Sequence, residues 1–599
     1  MPVACTLFPL PYHNAMLIYI FALPPIVALL CLALSNRAPA RWLGIAAASA
    51  LLACGVALLI ARMTGRLPLT LADYAWLALD DRTFTLALVC DAANWGFVLL
   101  TLGGGGLALL ALALAVPPNV RGFGGLFAAA LLALVAVVAG LANRDATLLP
   151  FLWALAALLI FLALRASGAL AGSDAPIIVL MAGLGAALLA LCAVLAMSVA
   201  PLALIAWTLA GLLALGALPF HAPTQALAQA PAALAGALLA PGLPLLGGWA
   251  MIRFAAGQGS ALPSRWRIAL VLLGLLTLLA CAAGALGTTR LRSMVAWQFG
   301  AQVGLVLLAL AQSGANLPAG AGAPATVASA LLANAVIATI ACYVAVGVLE
   351  RRAGTDDMAE IELREPLWLP GLVLLAGAAS AVGLPGTWGL WARHWLFAEL
   401  AQATPWATPI VLASSALIAL AWFIPPALFW RRARRAAPNP PIAPSSRPSA
   451  VMFVGIAAAA PLLILGVAPQ LAWRGWLAGL QDDLAPGTGV PALPSLIAQS
   501  ICLLAALLLI ALPLLARSRR YAAAEDQLSQ AGVAAPWALG ESLRGLAWMA
   551  IATEAFAYAW RALLALSRGL RRGMALFEQR YYLAGLLIAV ILVIMLFIQ

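Results

Sequence analysis

Apolar runs, each about as long as a membrane crossing, follow one another along almost the whole of this 599-residue chain. A crossing helix needs roughly 20 such residues, because the hydrocarbon layer offers no water to satisfy an exposed backbone. About sixteen runs meet that need: 14–35, 41–62, 88–115, 122–142, 146–166, 174–198, 201–219, 227–254, 266–287, 293–313, 325–349, 366–402, 407–430, 450–470, 494–516 and 579–598. They dictate an all-α polytopic integral membrane protein. Hydrophobic residues make up 65% of the chain and charged ones 9%, more apolar surface than a water-soluble domain could hide.

Two runs cannot be single straight helices. The run 366–402 is too long for one crossing and holds Pro385 and Gly386, and 227–254 holds Pro241, Gly242 and Pro244. Broken helices survive in a bilayer only where protein or a water-filled cavity satisfies the freed backbone groups, and they often build ion sites. The plainer alternative is a kink that helps packing. Gly103 to Gly106 lie inside a span, where they suit close helix contact rather than a phosphate loop.

All 32 basic residues are arginine. Arginine does not release its proton in a protein, so His13, His221 and His394 are the only titratable bases. The net charge of +12 is no nucleic-acid signature, because the arginines fall in short loops between spans. Placing the loop with Arg431, Arg432, Arg434, Arg435 and Arg447 in the cytoplasm puts 23 arginines inside and 8 outside, with Arg393 within a span. Both termini are then expected outside, in a bacterial-type inner (plasma) membrane. The first apolar run lacks a basic leader and a cleavage site and is expected to be a retained span.

Three segments are not crossings. Residues 62–87, with Asp73, Asp80, Asp81 and Arg82, are expected as an external re-entrant or hairpin region. Residues 431–449 form a basic, Pro-rich cytoplasmic linker. Residues 535–577 carry Arg544, Arg561, Arg568, Arg571 and Arg572 on a moderately apolar run, suited to a helix of about 60 Å lying along the membrane. The eight cysteines form no CxxC pair and are read as small core residues. No catalytic triad, carboxylate pair or metal-ligand cluster is visible, so no cofactor and no metal are expected on this chain.

Five stretches, in register, resemble one family. They are FTLALVCDAANWGFVLL at 84–100, LPFHAPTQALAQAP at 218–231, RLRSMVAWQFGAQVGLVLLAL at 290–310, LLANAVIATIACYVAVGVLE at 331–350 and SAVGLPGTWGLWARHWLF at 380–397. Together they resemble the antiporter-like membrane subunits of complex I (NADH:quinone oxidoreductase), the largest, L-type one above all. Related subunits occur in group 4 hydrogenases and multisubunit cation/proton antiporters. The resemblance implies an N-terminal region 1–87, an antiporter-like core 88–430, the linker 431–449, additional spans 450–516, a lateral helix region 517–578 and an anchoring span 579–599.

Such subunits relay protons through lysines set by glutamates. Here the family glutamate falls at Ala154, after Trp153, and the first lysine at Ala214. The next lysine falls at Ala240 or Leu245, two histidines fall at Leu331 and Ala335, and a further lysine falls at Thr339. Only Arg393, followed by His394, keeps a charge. The proton-path candidates are Arg393, His394, His221, Asn334, Thr339, Gln298 and Gln302. Structural alternatives stand beside them: Arg393 could cap broken-helix carbonyls, and His221 could stabilise its turn. Glu399, six residues after Arg393, faces elsewhere on a straight helix and is no obvious partner for it.

The implied function is a membrane-arm, proton-translocation-module subunit of a complex I-like NADH:quinone oxidoreductase, with most relay charges missing. Its partners would be other membrane-arm subunits and the lipid bilayer, with no nucleic acid. Alternatives are a subunit of a cation/proton antiporter, an inorganic-carbon uptake system or a membrane-bound hydrogenase, or a structural spacer.

Overall fold

The computed structural model describes residues 12–477 apart from 71–73, 80–81, 197–198, 259–261, 314–323, 359–367 and 434–449, together with the isolated positions 565, 568, 569 and 572. The expected span 494–516, the lateral helix, the anchoring span and most of the linker therefore lie outside the described residues, as does His13 apart from its helical backbone.

The chain is a bundle of membrane-length helices. In order they are α1 (Tyr12–Ala33), α2 (Ala40–Met63), α3 (Trp95–Leu99), α4 (Gly105–Ala115), α5 (Gly124–Ala142), α6 (Leu149–Ala166), α7 (Ala175–Leu195) and α8 (Ala200–Leu215). Then come α9 (Ala222–Leu227), α10 (Ala232–Leu238), α11 (Leu243–Gln258), α12 (Ser264–Gly287), α13 (Leu291–Leu310), α14 (Pro324–Ala353), α15 (Trp368–Val382), α16 (Trp388–Ala403), α17 (Ala407–Ala433), α18 (Ala450–Val467) and α19 (Pro469–Ala472). Among the described residues, 10 helical segments are long and apolar enough to cross a membrane, and four shorter apolar helices accompany them.

Between α2 and α3 the chain makes two short antiparallel pairings. Leu69–Thr70 pairs with Val89–Cys90, and Tyr74–Leu79 forms a hairpin with Arg82–Leu86. Asp91 then turns strand into helix: its Oδ1 accepts from the backbone N–H groups of Ala93 (3.0 Å) and Asn94 (3.1 Å).

Helices that are apolar all round reveal their lipid face only by exposure. On α6 Phe151, Leu155, Leu158 and Leu162 form an exposed stripe at helical spacing, and on α12 Ile268, Leu272, Leu276 and Leu279 do the same. At the other extreme, every residue of α14 from Ala325 to Leu349 is buried. This helix is the axis of the bundle, touching α10, α11, α13, α15, α16 and α18.

Glycines set the closest approaches. The span Trp95–Ala115 passes through a π-turn at Leu100–Gly104. An added Cβ would meet Ile340 at Gly104, Leu134 at Gly105 and Leu52 at Gly106, so three of the four consecutive glycines serve packing. Loops that alternation assigns to one membrane side touch one another. Ala40 N donates to Val120 O (2.8 Å) and Arg292 Nη1 to Gln229 O (3.1 Å) on one side. On the other, Arg62 Nη2 donates to Gly475 O (3.0 Å) and Arg253 Nη1 to Asn143 O (2.6 Å).

Both expected broken helices are broken. α10 stops at Leu238 and α11 resumes at Leu243, and α15 stops at Val382 while α16 resumes at Trp388. At the second break the chain crosses itself with no room to spare. A Cβ on Gly389 would collide with the Ser380 carbonyl, and one on Gly466 of α18 would collide with the Gly386 carbonyl. Trp391 Nε1 donates to Gly466 O (2.8 Å) and pins α18 there. Gly389→Ala is therefore expected to lower stability by roughly 1–3 kcal/mol through overpacking against backbone. Gly257→Ala, with nothing within 4 Å of its Cβ, should leave stability unchanged or slightly raised. Melting of the detergent-solubilised variants checks this, and equal midpoints for the two would refute it.

Candidate functional site

The α15–α16 break creates a backbone group that must be satisfied from outside the helix. In an uninterrupted helix the carbonyl of Ala381 would accept from the N–H of residue 385, but that residue is proline and has none. Two buried side chains fill the position: Gln302 Nε2 and Arg393 Nη2 both donate to Ala381 O. Gly383 and Gly386 adopt φ of 86° and 81°, the left-handed region that lets the chain turn here. Gly383 has a second duty, because a Cβ on it would stand 2.5 Å from Arg393 Cδ.

From that carbonyl a hydrogen-bonded network spreads over five helices. Asn334 of α14 donates from Nδ2 to Gln302 Oε1 (3.3 Å) and to Ser380 O (3.2 Å), and accepts from Ser380 Oγ (2.7 Å). Ser380 Oγ in turn accepts from the N–H of Gly389 (3.1 Å). Arg393 reaches the other way, donating from Nη1 to Ser415 Oγ on α17. Asn334, Gln302, Ser380, Arg393 and Ser415 are each no more than 3% exposed. Buried polar groups are costly when unpaired and mutually strengthening when paired, so the network fixes how these helices meet. No described ion pair involves Arg393, and its Nε has no partner among the described residues. Beside its guanidinium lies a small cavity lined by Val382, Gly383, Leu390, Phe397, Leu412 and Ser415.

The remaining candidates fall outside this network. Gln298 is one turn from Gln302, yet its Nε2 points to Cys342 Sγ (3.9 Å). The Thr339 hydroxyl is buried with no hydrogen-bond partner among the described residues. His394 is buried, but the helical step of about 100° turns it away from the Arg393 side. His221 sits in the turn before α9, its Nδ1 3.2 Å from Pro219 O and its ring 5.4 Å from that of Trp297, as a turn-stabilising histidine would.

The positions to which the resemblance assigned other charges are packed apolar contacts. Ala214 is buried against Gly247, a Cβ on which would stand 2.5 Å from the alanine's own. Leu331 and Ala335 are fully buried on α14, as are Ala240 and Leu245 around the first break, while Ala154 is half-buried on α6. Sequence reasoning missed Ser380 and Ser415, hydroxyls that within apolar runs signal nothing until the fold brings them to the break. Chemically, the network can hold a fixed positive charge in the bundle interior and surround it with hydrogen-bonding groups.

Residues 143–419 match the family model described as "NADH:quinone oxidoreductase/Mrp antiporter, TM". They are an antiporter-like membrane domain of that family. The fold is similar to a chain of the Mrp complex from Dietzia sp. DQ12-45-1b (TM-score 0.68, 18% identity), covering 92% of this chain and 62% of that one. This chain thus spans less than two thirds of the Mrp chain's length. It is also similar to a chain of the membrane-bound sulfane sulfur reductase, an archaeal respiratory membrane complex (TM-score 0.61, 18% identity, 82% and 100% covered). A third match is a chain of respiratory complex I from Thermus thermophilus (TM-score 0.60, 21% identity, 79% and 100% covered). No curated protein matches the sequence significantly. The expected family and helical membrane fold hold.

The geometry makes Arg393 a clamp between the α15 break and α17. Arg393→Ala should lower thermal stability by about 1–3 kcal/mol, through a lost bridge and the space it leaves. Arg393→Lys should recover only part of this, since one ammonium cannot imitate the fork that reaches Ala381 O and Ser415 Oγ together. Thermal unfolding of the purified variants measures both, and a wild-type midpoint for the alanine variant would refute the clamp.

Proposed function

We propose that this chain is a membrane-arm, proton-translocation-module subunit of a complex I-like NADH:quinone oxidoreductase, with redox centres on partner chains. The observation that carries the reading is the buried network at the α15–α16 break. Within an antiporter-like domain, it keeps one charge, Arg393, among hydrogen-bonding side chains on five helices. Elsewhere the relay positions are alanine, leucine or threonine, so any proton route of its own is confined to this last site. The similar structures are chains of membrane complexes, which supports other membrane-arm subunits as partners. The arginine distribution supports a bacterial-type inner membrane with both termini outside. The α16–α17 turn then faces outward.

A second reading, a subunit of a cation/proton antiporter, is favoured by the similarity to the Mrp chain over 92% of this one. Purification from native membranes in mild detergent separates the two. Co-migrating quinone-module and iron–sulfur subunits are expected, small antiporter subunits alone would replace the first reading by the second, and an isolated chain would sink both.

A further inference from the structure

Glu399 on α16 is fully buried, and neither of its carboxylate oxygens has a hydrogen-bond partner among the described residues. None of the described ion pairs includes it. As a packing element it is a poor choice, since leucine or glutamine would fill the same volume without an acid to desolvate. What a carboxyl adds at such a position is an exchangeable proton. An acid inside a membrane domain is a functional candidate on that ground, and its place in the fold supplies the rest.

α16 starts at the break and, on the topology proposed above, runs outward to the turn at Thr404–Pro405–Trp406, where Trp406 is exposed. Glu399 lies six residues beyond Arg393, about 9 Å further along the axis and about one turn short of the helix end. Past it, the hydroxyl oxygens of Thr404 and Thr408 are likewise buried and without partners among the described residues. Hydrogen-bonding groups therefore follow in order from mid-depth to one face: the Arg393–Ser415 pair, Glu399, then Thr404 and Thr408.

The elements packed on α16 are α13, α14, α15, α17 and α18. Their titratable and charged groups are few. α14 carries Cys342, Tyr343, Glu350, Arg351 and Arg352, α13 carries Arg292, and α17 carries Arg431 and Arg432 at its far end. α15 and α18 carry none. Arg292 is paired with Asp356 and Glu350 at the opposite membrane face. On α16 itself there are only Arg393 and His394.

We propose that Glu399 is the proton-exchanging group of the broken-helix site. It takes a proton from the membrane face at the α16–α17 turn, by way of the Thr404 and Thr408 hydroxyls and ordered water, and returns it by the same or the inward route. One O–H bond forms as a hydronium in the outer water loses its proton, and the reverse step restores both. Arg393 does not titrate in this scheme. It is a fixed charge, held in place by Ala381 and Ser415 and about 9 Å along the helix axis from Glu399. The inference rests on the proposed function for its biological use, but the chemistry of Glu399 is testable without it.

The test uses the full complex in its native subunit composition, reconstituted in vesicles with a trapped pH dye, and infrared difference spectra of the purified chain across a pH step. Glu399→Gln should assemble as wild type on native gels, melt no lower, and lose coupled proton transport about tenfold or more. Glu399→Asp should retain part of it, and Thr404→Val should slow it severalfold. The protonated-carboxyl band that responds to the pH step should vanish in Glu399→Gln. Wild-type transport in the glutamine variant, or an unchanged band, overturns the proposal. If Glu399→Gln fails to assemble, equal transport in the assembled Glu399→Asp and Thr404→Val variants overturns it instead. A wild-type complex that moves no protons would fail the functional reading alone, while the infrared band still decides Glu399.

Discussion

The carbonyl of Ala381 is the point on which the central bundle turns. Pro385 removes the N–H that would have closed the helix, and in a bilayer no water stands ready to replace it. The protein satisfies that oxygen with two buried donors, Gln302 from α13 and Arg393 from α16. Each of these is held in turn: Gln302 through Asn334 to Ser380, and Arg393 through Ser415 to α17. Five helices are thereby oriented by one missing hydrogen. Gly383, Gly389 and Gly466 let the backbones come close enough for those bonds to form.

The contrast with the first break is physical as well as chemical. Around α10 and α11 the chain is buried mainly by apolar contacts, most of them of alanine, leucine and glycine. Ala214 meets Gly247, Gly183 meets Ala157, and Gly236 lies against Tyr343. A long charged side chain in the place of Ala214 would need both an altered backbone approach and a new partner. The packing around this break therefore leaves no room for a long charged side chain, and a single lysine substitution there would not by itself build a relay. The second break kept its polar partners because its freed carbonyl demands them whether or not any ion moves.

Much of this was legible in the sequence. Length and apolarity mark the crossings, since a bilayer imposes both, and Pro with Gly inside a run marks each break. The Asp91 turn and the charge at Arg393 were implied by the family resemblance. The failure of Glu399 to pair with Arg393 was readable from spacing, because six residues on a helix put them on different faces. The partners were not readable. Helices that are apolar all round carry no periodic signal for which face meets protein, so Ser380 and Ser415 look like incidental hydroxyls and Gln298 looks equivalent to Gln302. The contacts of Gln302 with the Ala381 carbonyl and with Asn334 separate the two glutamines, and both exist only in the folded bundle.

A guanidinium that keeps its charge is not a failed lysine; it does a different job. A lysine at the break could empty and refill, whereas Arg393 presents a constant positive charge at mid-depth. Fixed positive charge raises the cost of any cation at the same level, as it does in pores that exclude protons. On the proposed function, a proton arriving from one face could approach the break but would find no favourable place beside Arg393 itself. Onward movement requires the guanidinium to shift, and its fork on Ala381 and Ser415 ties such a shift to the angle between α15 and α17. On the proposed function, movement of those helices would be the step that opens or closes the site, with the charge acting as the bolt rather than the carrier.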